Sequence, residues 1–284
     1  MGGPFFNSVL LNQGDIYKQY SANQGNKPLG TRGYTKDGRA FRWCKNGGTA
    51  LAIGRVIQSE AVPGDFSDDI SIEAGQGVTS GTTKVAMNWT TALASLGTTA
   101  DNYKDGYLFV NDGPGEGQMV QILKQEAWTS LTTLSAVSTL QFMPGDEFTT
   151  AVTTASELGI VKNLYDDVII PTNALTGVIL GVTPRAVSAN YWFWVQTWGP
   201  CPYLAFSTGT NIPKVGYPLV AQPSTDADMA RMWGEATTKK SSEALSFTTG
   251  FRATAILWFR QPLGTVMEVG GNGEFGIVDL KIAP

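Results

Sequence analysis

The chain has 284 residues, 42% hydrophobic and 11% aromatic, enough for a packed core in one large or two moderate domains. Only 15% of residues are charged, and 20 basic against 24 acidic residues leave a net charge of −4 with no basic stripe, which gives nucleic-acid binding little support. Histidine is absent, which removes the commonest general base and the commonest metal ligand. The 33 glycines, with abundant Ser and Thr, suit β-structure rich in turns. Sparse charge also fits a surface that an assembly covers. The start, Met1 to Phe6, lacks a basic region and an apolar region of signal length, and no run reaches the length of a membrane span. These features read as a chain made in a reducing cytoplasm, with Cys44 and Cys201 as buried thiols.

Residues 1–30 mix Asn, Gln and Gly with the apolar anchors Phe5, Phe6, Val9, Leu10 and Leu11. They read as an extended arm ordered by packing on another surface, or as an ordinary edge strand. Tyr34-Thr35, the turn Lys36-Asp37-Gly38 and the return Ala40–Cys44 predict a hairpin, followed by a strand from Ala50 to Gln58. Residues 61–80 are a Pro-, Gly- and Asp-rich loop at which a new domain starts. Lys84–Trp89 reads as a strand, and Thr90–Asn102 as a short helix or polar loop. Gly106–Asn111 and Gln118–Lys124 form a hairpin about Asp112–Gly117. Trp128–Phe142 is a bent strand ending in the turn Met143–Asp146. Phe148–Ile160 is ambiguous in period, and Asp167–Ile170 is a strand closed by Pro171.

Val178–Val182 and Ala186–Ala189 lead to Tyr191-Trp192-Phe193-Trp194-Val195-Gln196-Thr197-Trp198, an aromatic strand that Gly199-Pro200 and Pro202 should stop. Alternation puts Tyr191, Phe193, Val195 and Thr197 on one face and Trp192, Trp194, Gln196 and Trp198 on the other. Two bulky faces mean either a fully buried central strand or a second face given to a protein contact, with Trp192, Trp194 and Trp198 as its candidates. Tyr203–Phe206 and Val215–Val220 follow, and Asp226–Lys240 is the best helix or long-loop candidate, with Asp226 as N-cap. Arg252–Arg260 alternates as a strand. Val266–Val269 and Phe275–Ile282 flank Gly270–Gly273, whose Asn272-Gly273 is a hairpin turn. Gly54–Gln58 and Gly216–Val220 echo one another weakly, as two related strands of one barrel would. Many short strands at regular spacing predict a mainly β chain: a barrel or sandwich of residues 31–60 and 171–284, an inserted β domain of residues 61–170, and the N-terminal arm.

Chemistry is hard to place on these residues. Gly113-Pro114-Gly115-Glu116-Gly117 lacks the Lys-Ser/Thr ending, the spacing and the helix of a phosphate loop. Asp65, Asp68 and Asp69, Asp166 and Asp167, and Asp226 and Asp228 read as solvated loop carboxylates; neighbours such as Asp166 and Asp167 would point to opposite faces of a strand. A glycosidase pair, a calcium loop and a nucleophile elbow have no support here. Nothing singles out a Ser–Lys dyad. No catalytic residue, cofactor or metal ligand is expected. Trp89, Trp128 and Trp233 keep a carbohydrate-binding module open, each also being an ordinary structural aromatic, and a carbohydrate-binding or carbohydrate-active protein stands as the alternative from another class.

Taken together, Gly33–Arg42, Gly48–Ala52 with Gly54, Tyr191–Pro202, and Met267-Glu268-Val269 with Gly273–Leu280 resemble tailed-bacteriophage virion proteins similar to capsid decoration, or cement, proteins. The resemblance covers about the first 60 and the last 110 residues. It implies a non-enzymatic β protein that binds the outside of a capsid and cross-links major capsid subunits. It further implies location on the virion and self-association, most simply as a trimer, with no nucleic-acid or membrane partner. A tail or fibre protein is the nearest rival reading.

Overall fold

The computed structural model describes residues 8–61, 70–72, 78–89, 100–127, 136–171, 176–205, 213–221, 230–232 and 262–283. The chain is mainly β, with 47% strand and 4% helix, and one of its sheets curls into a half-barrel. It divides into two compact units: residues 1–60 with 165–284, and residues 61–164. Among the described residues, no helix is long and apolar enough to cross a membrane.

In the first unit the chain lays down β1 (Val9–Leu10), a short α1 (Gln13–Ile16), β2 (Gln19–Tyr20), and then the hairpin β3 (Arg32–Tyr34) and β4 (Ala40–Lys45), followed by β5 (Val56–Gln58). Gly38 takes φ +84°, the left-handed geometry that the Asp-Gly turn requires. The second unit is β6 (Ser71–Ile72), β7 (Lys84–Trp89), β8 (Tyr107–Asp112), β9 (Met119–Gln125), β10 (Ala136–Phe142) and β11 (Glu157–Val161), in the order β11-β8-β9-β10-β7-β6. Leu158 N donates to Ile70 O (2.9 Å), just ahead of β6, so the two ends of this sheet meet. Its inner face holds one apolar core that includes Met87, Leu108, Ile122, Leu140 and Ile160, with Phe142 edge-on to Phe148.

The chain returns to the first unit with β12 (Ile179–Val182), β13 (Trp192–Leu204), β14 (Pro218–Ala221), β15 (Ala230–Met232), β16 (Pro262–Glu268) and β17 (Phe275–Lys281). The main path of this 11-stranded sheet is β1-β3-β4-β13-β17-β16-β14-β15. The echoing segments both lie in it, each entered through a left-handed glycine, Gly54 (φ +72°) or Gly216 (φ +83°).

The aromatic strand does not stop at its prolines. β13 runs for 13 residues, pairing with β4 along Trp192–Trp198 and with β17 along Trp198–Leu204. Leu204 N donates to Gly54 O (2.9 Å), away from β17; Pro200 and Pro202 share its parity, so their missing N–H groups fall outside the β17 ladder. Three further expectations change. Phe148–Ile160 resolves into turns, a bridge at Val152 and then β11. The described part of Asp226–Lys240 is strand, because β15 extends the edge of β14 and long-range pairing overrides local propensity. Val168 and Ile169 bridge to Asn46 and Gln58, which places Asp167–Ile170 with the first unit instead of the insert. Most of Thr90–Asn102, the first part of Trp128–Phe142, and Arg252–Arg260 lie outside the described residues.

Residues 8–20 fold back on the chain's own sheet. β1 pairs parallel to β3, β2 pairs with the start of β13, and Leu11 and Ile16 are buried. Gly33 makes this possible: a Cβ there would fall 2.5 Å from Leu11 Cδ1 and 3.0 Å from Trp194 Cζ3. Gly33→Ala is therefore expected to cost about 1–3 kcal/mol in urea unfolding, the usual range for overpacking. In a Leu11→Ala background the penalty should shrink, since the two changes share one space. An unchanged penalty there would show that Gly33 serves something other than the seat of Leu11.

Candidate functional site

The two faces of β13 are both covered from within the first unit. Phe193 and Val195 pack with Cys44, Leu51, Ile57, Val168, Leu180 and Val187. Trp194 joins Leu11, Ile16, Phe41 and Trp43, with Val9, Tyr20 and Trp192 against them. Trp43, opposite Trp194 in the ladder, is the hub: its ring lies 5.0 Å from Trp194, 6.1 Å from Trp192 in a stacked pair, and 5.6 Å from Tyr20. Its Nε1 donates to Asn23 Oδ1 (3.0 Å), and Lys27 Nζ sits 5.2 Å above the ring. An indole needs such a partner when buried.

Of the residues singled out from sequence as protein contacts, Val9, Leu11, Trp192 and Trp194 come together in this wall, with Leu11 and Trp194 buried. Trp198 stands apart, half-buried, with Lys281 Nζ 4.2 Å from its ring. Leu10 is exposed, and Phe5 and Phe6 lie outside the described residues. The second aromatic face is thus lined by the chain's own N-terminal segment.

A surface that the sequence reading missed lies at one end of the β14-β16-β17 meander. Met267 lies near the end of β16, Val269 follows that end, and Phe275 opens β17 beside Gly270. Val215 and Tyr217 sit next to β16, where Gly216 N donates to Val266 O (2.8 Å) and Val266 N to Tyr217 O (3.0 Å). Ile53 precedes Gly54, at which a Cβ would touch Phe275 Cε1 at 2.5 Å. These six are half of the twelve large apolar side chains exposed among the described residues, each between 37% and 62% exposed. Exposed apolar residues gathered at one place make a candidate contact surface, whereas scattered ones need no explanation. In the sequence they are spread over more than 200 positions, with no shared period.

Charged groups form a tie, not a reactive pair. Asp166 and Asp167 both turn toward Lys45 Nζ, at 3.5 and 2.9 Å. The sequence reads them as solvated loop carboxylates; they do lie in a bend, with Asp167 at φ +46°, but Asp166 is buried and both are tied to Lys45. Burial works against the Lys45 charge, but the two carboxylates outweigh it and hold its pKa above the ordinary value. The glycine cluster is likewise structural. Gln118 Oε1 accepts from Thr149 N (2.7 Å) and Thr150 N (2.9 Å), while its Nε2 donates to Gly115 O (3.0 Å). Gly113 N is held by Asp112 Oδ1 and Gly117 N by Val110 O, so these amides are spent inside the turn. Among the described residues, no three His, Cys, Asp or Glu side chains lie close enough to hold a metal ion. Asp65, Asp68, Asp69, Asp226, Asp228, Trp128 and Trp233 lie outside them, and Trp89 ends β7.

Compared with protein-family models, with curated proteins and with solved structures, the chain matches none.

Two measurements test this arrangement. Trp194→Ala should cost about 3–5 kcal/mol of folding stability, as for a buried aromatic, where a mere contact residue would leave stability unchanged. The second concerns alkali. Burial raises the Cys44 and Cys201 thiols, lifts the Tyr165 phenol, and pushes Tyr203 up to about 12. An acid that ionises less readily when folded lets the unfolded chain lose its proton first. Stability should therefore fall as pH rises through the ordinary values, 9.0 for Cys and 10.0 for Tyr, and Tyr203 should contribute to that fall up to about pH 12. The buried Tyr203 hydroxyl has no hydrogen-bond partner among the described residues. Tyr203→Phe should be neutral or up to about 1 kcal/mol stabilising at pH 7, and should flatten the decline between pH 10 and 12. A steeper decline would contradict the burial assigned to this hydroxyl.

Proposed function

We propose that the chain is a structural virion protein that binds the outside of a tailed-phage capsid and reinforces it by cross-linking major capsid subunits. The observation that carries this reading is the exposed apolar end of the β14-β16-β17 meander. Ile53, Val215, Tyr217, Met267, Val269 and Phe275 present apolar area on backbone that paired strands and turn hydrogen bonds hold in place. A surface already ordered loses little entropy when a partner covers it, which suits a protein whose task is to hold neighbours together. The resemblance in Gly33–Arg42, Tyr191–Pro202 and Met267–Leu280 supplies the identity of the partner and the trimer as the self-associated form. The same meander carries part of that resemblance and most of the exposed apolar end.

The test is a binding experiment with expanded capsids and fluorescently labelled protein, read by co-sedimentation and electron microscopy. Label should cover whole capsids. The double variant Met267→Ser/Phe275→Ser should keep its circular dichroism and lose at least tenfold in affinity, the scale of interface hot spots, about 1.4 kcal/mol or more. Label confined to tails would replace this reading with the tail or fibre one. Unchanged affinity of the variant would remove the apolar end from the contact.

A further inference from the structure

A second surface, on the inserted unit, has different chemistry. A cavity of about 350 Å³ opens on the outward side of β7, β9 and β10, lined by Lys84, Lys124, Glu126, Thr139 and Gln141. The ladder explains why these five meet. Gln141 of β10 is registered with Lys84 of β7 on one side and with Lys124 of β9 on the other, so the two lysines flank an amide across three strands. Thr139, opposite Ala86, lies two residues back along β10, and Glu126 follows β9, with its N–H on Thr139 O (3.0 Å). Val85 and Met87 of β7, Leu140 of β10 and Gln125 of β9, each on the opposite parity, are buried, which fixes the five as outward-facing. Between Gln141 and Phe142 the register slips by one residue on β9. Such a bulge bends the strand and re-aims the side chains beside it. None of the five side chains has a hydrogen-bond or ion-pair partner among the described residues; Lys124 and Glu126, two residues apart on the strand, do not pair with each other.

We infer that this cavity binds an acidic saccharide, a sugar bearing carboxylate groups of the uronic-acid type. Two ammonium groups need an anion, and the lysine backbones, two strand spacings or about 10 Å apart, can close on one carboxylate or span neighbouring sugar units. Glu126, Thr139 and Gln141 supply a carboxylate, a hydroxyl and an amide, a set that accepts from and donates to sugar hydroxyls. Glu126 is the discriminating group. An ionised Glu only accepts, so it finds donors in the hydroxyls of a sugar acid and none in the phosphate oxygens of a phosphate chain. The volume falls in the range of small-ligand sites, about 300–1,000 Å³, and the opening to solvent suits a segment of a longer chain. This inference is independent of the capsid reading, because it rests on other residues in the other unit.

Titration calorimetry of the full chain against an oligogalacturonate, free galacturonate, a neutral dextran oligosaccharide of equal length and single-stranded DNA tests it. The oligogalacturonate should bind and weaken as salt rises, and Lys84→Gln/Lys124→Gln should lose at least tenfold in affinity with unchanged circular dichroism and thermal unfolding. Glu126→Gln should weaken the oligogalacturonate as well. Binding of free galacturonate would place the recognition on one sugar unit, and its failure beside a binding oligomer on a span of units; both support the site. Equal binding of dextran, tighter binding of DNA, tighter uronate binding by Glu126→Gln, no uronate binding at millimolar concentration, or a double variant that binds as the parent does would each overturn it.

Discussion

The fold of the first unit hangs on the pairing of Trp43 with Trp194 across β4 and β13. One contact between residues about 150 positions apart fixes the register of β4 on β13. It also creates the apolar wall that Leu11 and Ile16 close. Remove the indoles and the N-terminal segment has nothing to lie on; remove the segment and a wall of aromatic surface faces water. The bulge of β13 between Gln196 and Trp198 is stabilised locally, with Gln196 Nε2 donating to Pro200 O (2.8 Å) and Trp198 O (3.2 Å). That buried amide lets one strand serve two ladders, β4 first and β17 afterwards.

The sequence was most legible where structure is local. Asp37-Gly38, Asp112–Gly117 and Asn272-Gly273 mark turns because left-handed backbone favours those residue types, and each turn fixes the strands beside it. Legibility failed where a distant partner decides. Pro200 and Pro202 end a strand by local rules, yet survive in β13 because their nitrogens face away from the β17 ladder. Asp166 and Asp167 converge on Lys45 through one left-handed residue that is not glycine. Ala230–Met232 carries no strand signal, and takes one from the edge of β14. The arm looked unable to order itself because its seat, Gly33 and Trp194, is defined only after folding.

The two candidate surfaces divide along the same lines. The apolar end of the first unit is assembled from Ile53, Val215, Tyr217 and the β16–β17 hairpin, so no window of sequence contains it. The polar cavity of the inserted unit draws on three strands adjacent in the sheet. Lys84, Lys124 and Gln141 look like ordinary solvated residues until the register lines them up. Neither surface has a motif; each is a product of strand order.

The insertion of residues 61–164 between β5 and β12 has a consequence for how the chain reaches this structure. Strands β7 to β11 of the inserted unit bond to sheet neighbours that lie within its own hundred or so residues. The first unit cannot close until β13 and β17 exist, because β4 waits for the one and β13 for the other. During synthesis from the N-terminus, Phe41 and Trp43 therefore emerge with Leu11 and Ile16 but well before Trp194 of β13, whereas every strand of the insert emerges ahead of β12. Such delayed, long-range pairing is slow and leaves apolar strand edges open to aggregation. Early folding of the insert shortens the effective distance between β5 and β12 from a flexible loop of about a hundred residues to the separation of two points on a folded body. It thereby lowers the entropy of closing the sheet around β13.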